Sequence, residues 1–227
     1  MPPSEHADLG LTTEQIRTLA NSFPSGSDRL WQDIRVLARL LVPANPVAWH
    51  HFLLAVGNFK RQTQVAHYLP KQECEPRPEL PKSIRVFDSE GNDFELRSDD
   101  ANSWRRLDDA HGIGVPTATT ILAALWPDDH AILDRRVIRT SLALTGTAGN
   151  WATGRHGTKT PMATWPLYDW FIATAKRTTT ADVSLGQVER ALYRLDQAVP
   201  AVKGRMWDEL AKDLRAKAAQ QCADPSD

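Results

Sequence analysis

The chain has 227 residues, of which 41% are hydrophobic and 24% are charged, and its formal net charge is −1. This composition is typical of a globular protein and excludes a disordered or fibrous chain. No apolar run approaches the ~20 residues that span a bilayer, and the first residues lack a secretory pattern, so we expect a cytoplasmic protein. Two cysteines, Cys74 and Cys222, exclude a disulfide framework and a four-cysteine cluster.

Basic residues are concentrated between positions 131 and 180. Seven lysines and arginines there stand against two aspartates, a local charge of +5 that leaves −6 for the remainder. Such an excess is typical of a surface that meets a polyanion. A solvated surface with a chance asymmetry is the alternative explanation.

Helical periodicity dominates the first sixty residues. Thr12 and Gln15 form a capping box, which predicts a short first helix. Asn45 followed by Pro46 predicts the start of a third helix, and the proline-rich residues 70–83 are predicted to form a connecting loop. Apolar residues at helical spacing predict the second helix between them, namely Leu30, Ile34, Leu37 and Leu41, after Ser27 and Asp28.

The period changes between residues 84 and 97. Apolar and polar residues alternate on both sides of a Ser-Glu-Gly-Asn sequence at 89–92, which predicts a small β-hairpin. Helical patterns then return and continue through a second capping box, Ser184 with Gln187, to a last amphipathic helix. We therefore expect a mainly α chain of about ten helices, one inserted β-hairpin and a loose tail over residues 221–227.

A Gly-Ile-Gly sequence lies between two of these helical patterns. Glycine adopts backbone angles that side chains oppose, so Gly112-Ile113-Gly114 predicts a tight turn inside a helix-hairpin-helix at about 99–126. Ile113 is expected to plug the groove between the two helices. We expect the amides of Gly114 and of the next helical turn to point outward without an internal partner, which makes a phosphate site. A Gly-x-Gly turn by itself occurs in many tight connections.

A single carboxylate, Asp134, precedes the next helical pattern, which runs over about 134–145 and ends before Gly146. Aspartate is a favoured N-cap residue, worth ~1 kcal/mol. A purely structural role is therefore the alternative to a chemical one.

The Gly-Ile-Gly turn with Asp134 placed 22 positions after Gly112 resembles the helix-hairpin-helix DNA glycosylases, relatives of endonuclease III, the adenine-mispair glycosylase and the 8-oxoguanine glycosylase. The match is close over about residues 104–142, and the chain also resembles bacterial proteins with an 8-oxoguanine-glycosylase-like fold. The resemblance implies the two-lobed helical fold of these glycosylases, which is called the HhH-GPD fold, as a single domain over residues 1–220. It also implies double-stranded DNA as partner, a nucleoid-associated monomer, and Asp134 as catalytic carboxylate.

The chain departs from that family at two points. Bifunctional members carry a lysine two positions after the second turn glycine, where this chain has Pro116, which cannot form a Schiff base. A lyase lysine from elsewhere, Lys60 or Lys159, is the alternative. Two cysteines cannot build the family's iron–sulfur cluster, so we expect no cofactor beyond a monovalent cation at the hairpin. The segment 61–68 resembles a DNA-probing segment of the adenine-mispair enzymes, but its distance to the hairpin differs, and we treat that likeness as coincidence.

The implied reaction is hydrolysis of the N-glycosidic bond of a damaged or modified base that is flipped out of duplex DNA. Asp134 would stabilise the oxocarbenium-like sugar and take a proton from water. The residues expected to bind DNA are Gly112, Ile113, Gly114, Thr117, Arg135, Arg136 and Arg139. For Arg139, an exposed helix position without DNA contact is the alternative.

Aromatic and histidine side chains are candidates for the base pocket, with core packing as the alternative for each. The candidates are Trp49, His50, Trp151, Trp165 and Tyr168. Trp151 stands in a glycine-rich loop with Arg155, His156 and Lys159, which we expect to be a mobile, DNA-facing segment, a merely solvated loop being the alternative. The competing functions are a non-catalytic helix-hairpin-helix DNA-binding protein and a helical protein-interaction domain.

Overall fold

The computed structural model describes residues 8–22, 25–41, 45–61, 80–151, 160–200 and 205–223. These residues form nine α-helices and one two-stranded antiparallel sheet, which confirms the mainly helical class and the small hairpin. A tenth helical segment, Ala148–Asn150, is a single 3₁₀ turn. The elements are α1 (Thr13–Asn21), α2 (Ser25–Arg39), α3 (Pro46–Arg61), β1 (Ser83–Phe87), β2 (Asp93–Arg97), α4 (Ala101–His111), α5 (Gly114–Leu125), α6 (Arg135–Thr145), α7 (Trp165–Thr178), α8 (Leu185–Ala198) and α9 (Trp207–Ala223).

The helix starts follow from local capping. Both predicted capping boxes form, at the starts of α1 and α8, and the side chain of Asn45 accepts a hydrogen bond from the amide of Val47 at the start of α3 (2.9 Å). α2 begins at Ser25, two residues before the expected start, and α9 continues to Ala223. The expectation of a loose tail is therefore wrong for residues 221–223, because the helical pattern continues there, and residues 224–227 lie outside the described part.

The chain divides into two compact units. The inserted unit is Pro24–Ala131, and the outer unit combines Met1–Phe23 with Ile132–Asp227. The family resemblance implied one domain over residues 1–220. Helical periodicity shows that a helix has a buried face but not which helix covers it, so the division could not be derived from the pattern.

The inserted unit is organised around α5. Nine of the twelve residues of this helix are buried, as expected for a helix that is apolar on all sides, and α2, α3 and α4 pack against it. The β-hairpin buries alternate residues on each strand, with Val86 paired to Phe94. Helix α3 contacts β1, and α4 contacts β2.

One backbone carbonyl joins three elements of this unit. The oxygen of Phe87, at the end of β1, accepts a hydrogen bond from the indole Nε1 of Trp49 on α3 (2.7 Å). The ring Nε2 of His111, the last residue of α4, lies 2.9 Å from the same oxygen. The end of the β-hairpin is therefore held beside the turn that follows α4.

The outer unit is organised around α8, which packs against α1, α6, α7 and α9. Its buried face carries Leu185, Val188, Ala191, Leu192 and Leu195. No helix among the described residues combines the length and the apolar character that crossing a lipid bilayer requires.

Candidate functional site

The predicted turn lies between α4 and α5. Gly112 ends α4 in the left-handed region (φ 59°), and its amide donates to the carbonyl of Asp108 (2.7 Å). Ile113 follows with helical angles, and Gly114 is again left-handed (φ 70°). Since other residues adopt this region at a cost of ~1–2 kcal/mol, both positions favour glycine because of backbone angle.

Space above the turn is open. Among the described atoms, none lies within 4 Å of a Cβ built on Gly112, and one built on Gly114 would meet only Pro116, at 3.9 Å. The glycines are therefore required for conformation and not for close internal packing. The half-buried Ile113 and Thr117 border this open surface.

The amide of Gly114 has an internal partner, contrary to the expectation that it points outward unpaired. It donates to the carboxylate Oδ1 of Asp108 on α4 (3.0 Å). The physical reason is that Ile113, the N-cap residue, has no side-chain acceptor, so the preceding helix supplies one. Sequence reasoning missed Asp108, although an acidic residue in the last turn of a helix opposes the helix dipole and indicates a partner elsewhere.

Asp134 is the N-cap of α6. Its Oδ1 accepts hydrogen bonds from the amides of Arg136 (2.8 Å) and Val137 (2.9 Å), while its backbone is extended. The side chain is half-buried, and within the described residues its second oxygen, Oδ2, makes no hydrogen bond. The predicted cap is therefore formed by one carboxylate oxygen, and the carboxylate orientation is set by two backbone donors.

Two predicted DNA-binding arginines are exposed beside Asp134. Arg135 and Arg136 open α6, and both are solvent-exposed. The guanidinium carbon of Arg136 lies 5.0 Å from the centre of the Tyr193 ring on α8, a cation–π contact that restricts the side chain. Sequence reasoning did not identify Tyr193 as a neighbour.

Arg139 is neither exposed nor available to a phosphate. Its Nε donates to Oδ1 of Asp196 on α8 (2.6 Å), and the two side chains are 18% and 7% exposed. Burial raises the pKa of Asp196, and the hydrogen bonds from Arg139 and Thr140 oppose that shift. Both sequence alternatives for Arg139 are thus corrected: it joins α6 to α8.

The base-pocket candidates of the inserted unit take different positions. Trp49 is 3% exposed and belongs to the core, with its indole N–H bonded to Phe87 as described above, so its assignment to a pocket is wrong. Trp49 lies on the packed side of α3, the helix that contacts both α5 and β1. His50, the next residue on α3, is exposed and lies beside His51.

The candidates of the outer unit are largely packed. Tyr168 is fully buried, and the half-buried Trp165 contacts it edge to face at 5.9 Å. Trp151 is half-buried with its ring 6.1 Å from that of Trp170, so the expectation of an exposed loop residue is wrong. Trp151 lies six residues beyond the end of α6, the helix whose start is capped by Asp134.

Several predicted residues lie outside the described part of the chain. These are Arg155, His156 and Lys159 of the basic loop, and residues 62–68 of the glutamine-containing segment. Comparison of the chain with protein-family models, with curated proteins and with solved structures found no match.

Proposed function

We propose that this chain is a monofunctional DNA glycosylase that hydrolyses the N-glycosidic bond of a damaged or modified base flipped out of duplex DNA. The proposal rests on one combined observation. A turn with two left-handed glycines joins α4 to α5, and a carboxylate caps the next helix 22 positions after Gly112. This combination supports the helix-hairpin-helix glycosylase fold. Because Pro116 has no amine for a Schiff base, the proposed activity is hydrolysis alone.

Asp134 would act on the sugar. Two backbone amides hold Oδ1, so the carboxylate keeps one orientation without further side-chain contacts. In the proposed reaction the bond from C1′ to the base nitrogen breaks with its electrons leaving on the base, and a water oxygen bonds to C1′. The carboxylate stabilises the positive charge on the sugar and takes the proton that water loses.

DNA contacts would come from the turn and from the start of α6. No described atom outside the turn lies within 4 Å of a Cβ built on Gly112, which supports the approach of a sugar–phosphate chain there, and the exposed Arg135 and Arg136 would supply two positive charges. Asp108 places a negative charge at the amide of Gly114, which disfavours a phosphate at that atom. The same carboxylate suits the monovalent cation expected at the hairpin, and that cation stays a prediction.

A second candidate function is a non-catalytic helix-hairpin-helix DNA-binding protein. The observation that favours it is the cap itself: aspartate at this position stabilises α6 by ~1 kcal/mol without any chemistry. The two functions differ in whether base is released, while both require affinity for duplex DNA.

The test is base release from duplexes that carry 8-oxoguanine, uracil, alkylated or mispaired bases. The Asp134→Asn variant keeps a good cap residue, so its free energy of unfolding should stay within ~0.5 kcal/mol of wild type. Its rate of base release should fall by about 100-fold or more, since it lacks the carboxylate. Asp109→Asn, which removes an exposed carboxylate from α4, is the matched control and should keep the wild-type rate.

Two outcomes would reject the catalytic proposal. If Asp134→Asn releases base at the wild-type rate, Asp134 is a helix cap only. If the wild-type protein releases no base from any duplex yet binds DNA with a salt-dependent affinity, the non-catalytic function is correct.

A further inference from the structure

A cleft of about 170 Å³ lies in the inserted unit, away from the glycine turn. It is bordered by the last turns of α2, by residues leading into β1 and by the carboxyl end of α5. The turn lies at the other end of α5, and a helix of 12 residues is about 18 Å long. The cleft is therefore separate from the surface proposed to meet DNA.

Five charged side chains line this cleft: Arg35, Arg39, Lys82, Asp128 and Asp129. Lys82 and Asp129 form an ion pair with each other, and the indole Nε1 of Trp126 donates to the carbonyl of Pro81 (2.9 Å). These contacts tie the residues before β1 to the end of α5, so this wall of the cleft is built by the fold.

Two of the lining charges differ from the others. Within the part of the chain that the structure describes, Arg39 and Asp128 make no hydrogen bond and no ion pair, with each other or with a third group. Arg39 is half-buried and Asp128 is exposed, so the cleft presents one positive and one negative group that solvent reaches and that the protein itself does not neutralise. An unpaired charge of each sign in one cleft fits a ligand that carries both signs.

The surroundings of Arg39 favour an anionic group of a ligand, and those of Asp128 favour a cationic group. Arg35 stands four residues before Arg39 on α2, so two positive charges lie close together on this side of the cleft. The planar guanidinium of Arg39 matches a carboxylate in a bidentate geometry. Near Asp128, the carbonyl groups that end α5 add negative partial charge, which favours an ammonium group.

We propose that this cleft binds a small zwitterion, a free α-amino acid, with its carboxylate on Arg39 and its ammonium on Asp128. The cleft, at about 170 Å³, has room for a ligand of the size of a free amino acid. The site is independent of the proposed glycosylase activity, so either proposal can fail while the other holds.

The test uses the full chain and isothermal titration calorimetry with each of the twenty common free amino acids. The tightest binder is then compared with its amide, which lacks the carboxylate, and with its deaminated acid, which lacks the ammonium group. Each analogue should bind roughly 10- to 100-fold more weakly than the amino acid, because each loses a charge-assisted hydrogen bond.

Variants assign the binding to the cleft. Arg39→Ala and Asp128→Asn should each weaken amino-acid binding by roughly 10- to 100-fold, while Arg105→Ala and Asp109→Asn, exposed on α4, should bind as wild type does. Inorganic phosphate serves as an anion without an ammonium group and should not bind saturably.

Any one of three results overturns the proposal. The first is that no amino acid binds at millimolar concentration, and the second is that the amide or the deaminated acid binds as tightly as the amino acid. The third is that the cleft variants bind as the controls do. Because the analogue comparison uses the wild-type chain, it decides the matter even if a cleft variant does not fold.

Discussion

The first turns of α5 and α6 solve the same problem in different ways. Each helix begins with amides that its own backbone cannot pair, and in each case an aspartate carboxylate accepts from them. At α6 the acceptor is the N-cap residue itself, Asp134. At α5 the acceptor is Asp108, six residues before Gly114 and on the preceding helix.

The comparison shows which of the two carboxylates keeps an oxygen that helix capping does not use. Asp134 needs only one oxygen to cap α6, and it stands at the exposed start of a helix that carries Arg135 and Arg136. Asp108 links α4 to α5, and its carboxylate adds a negative charge at the glycine turn. The net charges of the two units differ in the same sense. The inserted unit has 12 basic and 15 acidic residues and is negative, whereas the outer unit has 15 basic and 13 acidic residues and is positive.

The two helices are also anchored differently, and breaking the anchor of α6 should have the largest effect on stability. Both helices bury apolar residues, and α6 is in addition joined to α8 by the Arg139–Asp196 ion pair. Asp196→Ala leaves the Arg139 charge nearly buried without a partner, so we expect the free energy of unfolding to fall by about 3 kcal/mol. Urea unfolding measures it.

Two further variants sharpen that result. Arg135→Ala, exposed on the same helix, should change the free energy of unfolding by less than ~0.5 kcal/mol. Replacing both partners, Arg139→Met with Asp196→Leu, should recover most of the loss because no charge is left buried. A loss of less than ~1 kcal/mol in Asp196→Ala would show that the pair does not anchor α6.

Removing each capping carboxylate tests the comparison directly, with a smaller effect. Asp108→Ala and Asp134→Ala should each lower the free energy of unfolding by ~1 kcal/mol, because the first leaves one first-turn amide and the second leaves two without their acceptor. They should differ in DNA binding: Asp108→Ala exposes the Gly114 amide to phosphate and should bind duplex DNA more tightly. Fluorescence anisotropy at several salt concentrations measures this affinity.

Asp109→Ala is the control for the loss of one negative charge from the same turn of α4. If it tightens DNA binding as much as Asp108→Ala does, the gain comes from net charge alone and the Gly114 amide does not meet a phosphate.

The pH dependence of stability should show the smallest effect, with opposite signs in the two units. Burial lowers the pKa of His111 from 6.5, and the Phe87 carbonyl and Asp88 oppose this shift. The folded protein therefore binds this proton more weakly than the unfolded chain, so stability falls as pH drops through 6.5. Burial raises the pKa of Asp196 from 3.8, so the contribution of this carboxyl group to the free energy of unfolding falls as pH rises above that value.

His111→Gln isolates the first of these effects, since glutamine can still donate to Phe87 but does not titrate. Urea midpoints at about pH 7.5 and about pH 5.5 should differ more in wild type than in the variant. Equal differences in the two proteins would mean that protonation of His111 does not oppose folding.

Local features of the chain were predictable because their physical causes act within a few residues. The capping boxes at Thr12 and Ser184, the alternating hairpin and the Asp134 cap each depend on side chains two to four positions from the amides that they serve. Asp134 could be singled out for this reason, and so could the glycine turn. Asp108 lay just beyond that range, although its position against the helix dipole was a signal.

Burial and long-range pairing decided the rest. The sequence pattern of a tryptophan at helical spacing is the same whether the residue lines a pocket or fills a core. Trp49 fills the core because the end of β1 and His111 of α4 lie against it.

The order of residues by itself therefore determined which segments are helices, where the capped helices α1, α3, α6 and α8 begin and where the backbone turns sharply, since these depend on neighbours along the chain. Only the tertiary structure decided that the chain divides into two units and that Arg139 meets Asp196, 57 positions away. The physical reason is that a charged group or an apolar face contacts its partner only when distant segments of the chain pack together.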